Sequence, residues 1–195
     1  MELVLASHNK GKLIELQELF VDFDLNISSA ADYDLTEPEE TETTFEGNAR
    51  IKAHYCAKQT GKLSISDDSG LEVAALNGAP GVYTADWAET GNGRDFYMAM
   101  EKTRVALIGK QVPFLANFTS VLCLAWPDGR DMVFRGEVYG HLEFPPRGEM
   151  GFGYDPIFVP KGYTNTFAEL PADVKNEISH RARAFEALLA AKPFE

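Results

Sequence analysis

Cysteine is scarce in this chain. Cys56 and Cys123 are the only two in 195 residues, and neither has a CxxC partner, so a zinc site or redox motif lacks the ligand spacing it needs. Both are read as small buried hydrophobes, one in a helix and one in a strand, of a protein kept in a reducing compartment. Long apolar runs are missing as well; none approaches the roughly 20 residues a helix needs to cross a bilayer. The opening Met1-Glu2-Leu3-Val4-Leu5 has no basic leader ahead of an apolar segment, so no secretory signal is expected and the cytoplasm is the expected location. Positive charge is the third shortage. With 18 lysines and arginines against 30 acidic residues, the net charge is −12, which argues against loose electrostatic binding to nucleic acid or anionic membrane. A phosphorylated small molecule is not excluded, provided a few cations, backbone N–H groups and a metal gather in one place. The GxxxxGK[ST] loop, the GxGxxG turn, HExxH and Ser–His–Asp spacings are all absent, and with them the corresponding nucleotide-binding, protease and hydrolase readings.

What is present is ordinary in bulk, 45% hydrophobic and 25% charged, enough for one substantial core or two small lobes. Leu3 to Ser7 reads as a central opening strand. A helix with Leu13, Leu16 and Phe20 at helical spacing follows, then a strand over Leu25 to Ser28. Thr43 and Glu46 have capping-box spacing, predicting a helix with Phe45, Ala49, Ala53, Cys56 and Ala57 on its buried face. Leu63 to Ser66 alternates as a short strand that Gly70 ends in a turn. A helix is expected within 94–108, a strand alternating on one face from Phe114 to Trp126, and a hairpin return over Met132 to Tyr139. Ile157 to Val159 is a short apolar run. Helices are expected from about Asp173 and, capped by Ser179, through Phe185, Leu188 and Leu189. The pattern is mixed α/β: a mixed twisted sheet with flanking helices, in one domain over 1–195.

Several short segments carry chemistry. Asp67-Asp68-Ser69-Gly70 presents two adjacent carboxylates whose like charges raise each other's cost of ionisation, a cost that a divalent cation relieves. A solvated turn uses the same residue types. Ser7-His8-Asn9-Lys10-Gly11-Lys12 joins a strand to a helix, where unsatisfied N–H groups and lysines favour phosphate; a plain helix cap is the alternative. The acidic loop from Asp32 to Glu46 could bring Glu39 or Glu40 beside Asp67 and Asp68, and three carboxylates together would favour Mg²⁺. Lys52 lies on the following helix. Phe152-Gly153-Tyr154-Asp155 offers an aromatic face, close backbone approach and a carboxylate, either for a nucleobase or as a core turn. Ser179-His180-Arg181 places donors at a helix start.

In order along the chain, these segments resemble the inosine triphosphate pyrophosphatase family, the pyrophosphatases of noncanonical purine nucleoside triphosphates. Ser7, Asn9 and Lys12 are similar to its [ST]xNxxK; Asn48-Ala49 with Lys52-Ala53 to NAxxKA; Asp67 to Leu71 to DDSGL. Gly78 to Tyr83 is similar to GAPG[VI]Y, Gly151 to Phe158 to GFGYDPIF, and Lys175 with Ser179 to Arg181 to the terminal K…SHR. Gly47 departs from a glutamate frequent in the family, Met98-Ala99-Met100 from its outer-helix pattern, and Asn117 from a basic residue of the central strand. The resemblance implies two lobes around a nucleotide-binding cleft, a homodimer, and Mg²⁺-dependent cleavage of ITP, dITP or XTP to monophosphate and pyrophosphate. It implies that Ser7, His8, Asn9, Lys10, Gly11, Lys12 and Lys52 hold the triphosphate, with Lys12 also catalytic. Glu40 and Asp68, with Asp67, would hold the metal, and Asp68 would activate water. Ser69 would touch the nucleotide, Phe152 to Asp155 line the base or sugar site, and Lys175, His180 and Arg181 read the base. A nucleotide sensor without turnover and an enzyme of modified pyrimidine nucleotides are the alternatives.

Overall fold

An apolar strand flanked on both sides must bury every side chain, and Leu3, Val4 and Leu5 are fully buried. They belong to β1 (Glu2–Leu5) of the computed structural model, which describes residues 2–194. In chain order follow α1 (Lys10–Leu19), β2 (Asn26–Ser29), α2 (Phe45–Thr60), β3 (Leu63–Val73) and α3 (Phe96–Ala106). Then come β4 (Phe114–Ala125), β5 (Asp131–Leu142), β6 (Phe158–Pro160), α4 (Ala172–Ile178) and α5 (His180–Ala190). One six-stranded sheet runs β2-β1-β3-β4-β5-β6. β1 is parallel to both neighbours, with Leu3 opposite Ile27 and Leu63, while β5 and β6 are antiparallel, with His141 opposite Val159. The sheet is thus mixed, as the sequence predicts.

The chain divides into two compact units. The first comprises residues 2–68, 120–136 and 181–194. Its core joins Leu3 and Leu5, Leu16 of α1 with Phe20 just past its end, Ile65, Leu122 and Leu124, and Phe185 and Leu188 of α5. Phe20 and Phe185 meet edge to face at 4.8 Å, the geometry that aligns positive ring edge with negative face. The second comprises residues 69–119 and 137–180. Its core gathers Leu71, Val73, Met100, Leu107, Phe118, Ile157, Phe158 and Phe167.

Three sequence expectations need correction. β3 does not end at Gly70 but continues to Val73, because the apolar alternation resumes at Leu71 and Val73, both fully buried. The capping residue of α2 is Thr44, whose hydroxyl accepts the Gly47 N–H at 3.1 Å, rather than Thr43. β4 is buried on both faces from Phe118 to Ala125, as befits a strand flanked by β3 and β5, so its one-sided alternation understated its depth.

Within the first unit, α2 is fastened to β5 by Asp131. Its Oδ2 accepts from His54 Nε2 at 2.8 Å and from Arg50 Nε at 3.3 Å. Burial works to raise this carboxyl, but the His54 hydrogen bond and the Arg50 charge outweigh it and hold it below the ordinary aspartate value. A depressed carboxyl stabilises the fold above its unfolded pKa, and that contribution disappears as pH falls through the folded value. Asp131→Asn should therefore cost about 0.5–1 kcal/mol at pH 7 and nothing in acid. Urea denaturation at pH 7 and below pH 3 checks this; an equal cost at both would remove the ionic explanation.

Candidate functional site

Successive residues of a strand project to opposite faces, and Asp67 and Asp68 of β3 accordingly have separate partners. Asp67 is buried. Its Oδ2 accepts from Lys12 Nζ at 2.9 Å and Arg181 Nη2 at 3.1 Å, and its Oδ1 from Ser120 Oγ at 2.5 Å. Burial acts to raise its pKa, yet the Lys12 ammonium and the Ser120 hydroxyl reverse this and leave it below the usual aspartate value. Asp68 has a different neighbourhood. Its Oδ1 accepts from Lys52 Nζ at 2.7 Å, while its buried Oδ2 has no hydrogen-bond partner among the described residues. Burial, opposed by Lys52 and Lys12 and reinforced by Glu40, pushes this carboxyl up.

Lys52 is the hinge of this half. It is buried on α2, and Nζ also donates to Glu40 Oε1 at 2.9 Å. Burial disfavours its charge, but the flanking carboxylates more than compensate and hold it firmly protonated. Glu40, not Glu39, is the glutamate delivered here. Gly47 has a part in that delivery: a Cβ there would lie 2.6 Å from Glu42 Cβ. The missing side chain lets the acidic loop fold over the start of α2, where the Glu42 N–H donates to Asn48 Oδ1 at 3.0 Å. That is a physical reason for glycine at the position where the family pattern carries glutamate.

The opening loop uses its polar groups locally. Ser7 Oγ accepts the Asn9 N–H, Asn9 caps α1 by accepting the Lys12 N–H, both at 3.2 Å, and His8 Nε2 meets the Leu35 carbonyl at 2.7 Å. Lys10 is exposed and Gly11 half-buried in the first turn of α1. Lys12 is the member of the loop that reaches β3, touching both the Asp67 carboxylate and, at 3.4 Å, its carbonyl.

The second unit contains a cluster of its own. Lys175 Nζ donates to Asp155 Oδ2 at 2.6 Å, and the Phe152 N–H donates to the same oxygen at 2.8 Å. The ammonium lies 4.9 Å from the Phe152 ring centroid and 5.7 Å from that of Phe167, within cation–π range. Phe152 and Gly153 are half-buried. Tyr154 is a core residue, edge-on to Phe96 at 5.7 Å, with its hydroxyl pushed up by burial. His180 is buried with its ring stacked on Phe118 at 5.0 Å. Ser69 is half-buried on β3.

Two expectations are corrected here. Glu40, Asp67 and Asp68 do not converge as a trio: among the described residues no three His, Cys, Asp or Glu side chains form a metal-holding group. The strand's alternation sends Asp67 to the other face, where Lys12, Arg181 and Ser120 occupy it. Arg181 does not stand open as a base reader either. It is buried, with its guanidinium against Asp67 and Glu15 in the first unit, and burial pushes it down to about 10, still cationic at neutral pH. Glu15 and Ser120 escaped the sequence reading. Glu15 lies three residues beyond Lys12, on the same face of α1; Ser120 is one of three polar residues, with Asn117 and Thr119, in the middle of β4 and carries no motif.

Asp68 Oδ2 and Glu40 remain as oxygen donors beside one another. Mg²⁺ is commonly held by one or two carboxylates together with substrate phosphates, so these residues fit a hard divalent ion that binds with a phosphate ligand.

Fold and site together define a mixed-sheet α/β protein with buried lysine–carboxylate clusters suited to a phosphorylated ligand. The chain belongs to the Ham1 family, whose pattern it matches over residues 3–191. It is 60% identical over 186 residues to a dITP/XTP pyrophosphatase of Ruegeria pomeroyi, covering 94% of this chain and 91% of the relative. It is 55% identical to a dITP/XTP pyrophosphatase of Agrobacterium fabrum, covering 94% and 92%. Its fold is similar to that of a HAM1 protein from Coxiella burnetii, with a TM-score of 0.90 at 38% identity and 98% of each chain covered. No helix among the described residues is long and apolar enough to cross a membrane.

The Asp67 network carries a stability prediction. Asp67→Ala leaves buried cations facing a gap, and should lower the unfolding free energy by about 3–5 kcal/mol. Urea denaturation measures this; a loss below about 1 kcal/mol would mean the cluster is not an anchor.

Proposed function

We propose that this chain hydrolyses noncanonical purine nucleoside triphosphates (ITP, dITP and XTP) to the monophosphate and pyrophosphate, clearing them from the nucleotide pool. The observation that carries the reading is Lys52 held between Asp68 and Glu40 while the other Asp68 oxygen, buried, has no hydrogen-bond partner among the described residues. A buried carboxylate oxygen left unsatisfied is costly, and a metal ion or a water proton is what would satisfy it. The names of the relatives favour the same reading. Mg²⁺ is the cofactor of this proposal, held by Asp68 and Glu40. When bound, it would neutralise phosphate charge and polarise the phosphorus.

The side chains supply the rest. Asp68 accepts a proton from water as the water oxygen bonds to the α phosphorus and the α–β bridging bond breaks, releasing pyrophosphate. Lys12 and Lys52, with Lys10 and the Ser7–Gly11 backbone, offset charge on the triphosphate and its leaving group. Asp67 is assigned as the counter-ion that fixes Lys12, and Arg181 as its second clamp. Lys175 and His180 donate toward the base, with Phe152 against its face, Gly153 allowing close approach, Asp155 orienting Lys175 and Ser69 contacting the nucleotide. A 6-oxo purine accepts from such donors, whereas the 6-amino group of adenine meets them donor to donor. A site built for one can reject the other by several kcal/mol. A homodimer in the cytoplasm belongs to the same reading, and light scattering checks the assembly.

Incubation with ITP and Mg²⁺ should release pyrophosphate far faster than incubation with ATP, and chelation of the metal should stop it. Asp68→Asn should cut turnover about 10²–10⁴-fold in a chain that still folds, since Glu40 keeps its contact with Lys52. Near-normal turnover in that variant would sink the assignment of Asp68 as the base.

A further inference from the structure

The Phe152 loop poses a mechanical question. Residues 143–154, including Pro145, Pro146, Gly148 and Gly151, belong to no helix or strand, yet they set where Phe152 stands. Such a segment keeps one conformation only if its polar groups are tied down from outside.

Arg147 does the tying, with both side chain and backbone. Nη1 donates to Glu143 Oε2 at 2.6 Å, Nε to Glu169 Oε2 at 3.2 Å, and Nη2 to the Thr164 carbonyl at 2.9 Å. Its own N–H donates to the Pro156 carbonyl at 2.8 Å, and its carbonyl accepts from Thr166 Oγ1 at 2.9 Å. Glu169 Oε2 also accepts the Thr166 N–H at 2.8 Å, closing the clasp.

The clasp leads to the base-side cluster in short steps. Gly148, at φ +86°, lies so close to the Ala168 backbone that a Cβ would overlap it, and the Met150 N–H donates to the Ala168 carbonyl at 3.0 Å. The Ala168 N–H in turn donates to the Asp155 carbonyl at 3.3 Å, and Asp155 holds both Phe152 and Lys175. Gly151, at φ +73°, leaves the space that the Asp155 carboxylate fills.

We propose that Arg147 is a positioning residue for purine selection, acting through the 164–169 segment and Asp155 on Phe152 and Lys175. The inference rests on the reading above that those two residues meet the base. The guanidinium is suited to the task because its planar fork serves three acceptors at fixed angles, which an ammonium cannot do. Arg147 itself does not touch the nucleotide.

Steady-state kinetics with ITP and ATP on the full chain test this. Arg147→Ala should raise KM for ITP about tenfold and reduce the ITP-over-ATP preference to a similar degree, with kcat for ITP within about twofold of the parent. Arg147→Lys should fall between, and Glu169→Ala, which opens the other end of the clasp, should reproduce the rise in KM. A structural clasp with no part in selection would lower the melting temperature while leaving KM and preference within about twofold, and that result overturns the proposal. If Arg147→Ala does not fold, Arg147→Lys decides by the same criteria. Phe152→Ala separates the two layers. A raised KM there with none in the Arg147 variants defeats the clasp alone; no change in Phe152→Ala defeats the base-side reading and this inference with it.

Discussion

Lys52 keeps its charge in the interior only because Asp68 and Glu40 flank it. Removed from water, an ammonium group is unstable without opposite charge at contact distance, and two carboxylates that meet it at 2.7 and 2.9 Å supply that. Much of the first unit follows from this contact. It draws the acidic loop onto α2, which requires Gly47, and it leaves Asp68 with one oxygen satisfied and one not. On the opposite face of β3, Asp67 is saturated by Lys12, Arg181 and Ser120. One strand therefore carries a carboxylate held for stability next to one left with capacity for chemistry.

The second unit repeats the device with different company. Lys175 is buried against Asp155 and faces the Phe152 and Phe167 rings, whose negative faces supplement the Asp155 carboxylate. Exposed ion pairs such as Arg104 with Glu101 contribute little by comparison, because water and salt screen them. Burial thus sorts the charged residues of this acidic chain. Those on the surface face water, whereas the few interior lysines and Arg181 each hold a carboxylate in a fixed direction.

Much of this was legible in the sequence, for identifiable reasons. β1, α1, α2, the β4–β5 hairpin and the terminal helices follow from apolar spacing and caps, since those signals depend on near neighbours. The extension of β3 through Gly70 was not legible, because a glycine after two aspartates and a serine has the composition of a turn and only flanking strands hold it extended. The site residues were named by motif, but their division of labour was not. That Asp67 and Asp68 face opposite ways depends on β3 continuing as a strand. That Arg181 turns toward Asp67 and Glu15 depends on contacts between α5, α1 and β3 that lie more than a hundred residues apart along the chain. Glu15 and Ser120 carry no motif of their own, and Arg147 sits in a proline- and glycine-containing stretch that composition marks only as loop.

Crystals grown with Mn²⁺ and an ITP analogue whose α–β bridge resists hydrolysis test the central division most directly. The account predicts an anomalous peak ligated by Asp68 and Glu40, with Asp67 still bound to Lys12, Arg181 and Ser120. A peak coordinated by Asp67, or one remote from both aspartates, would contradict it.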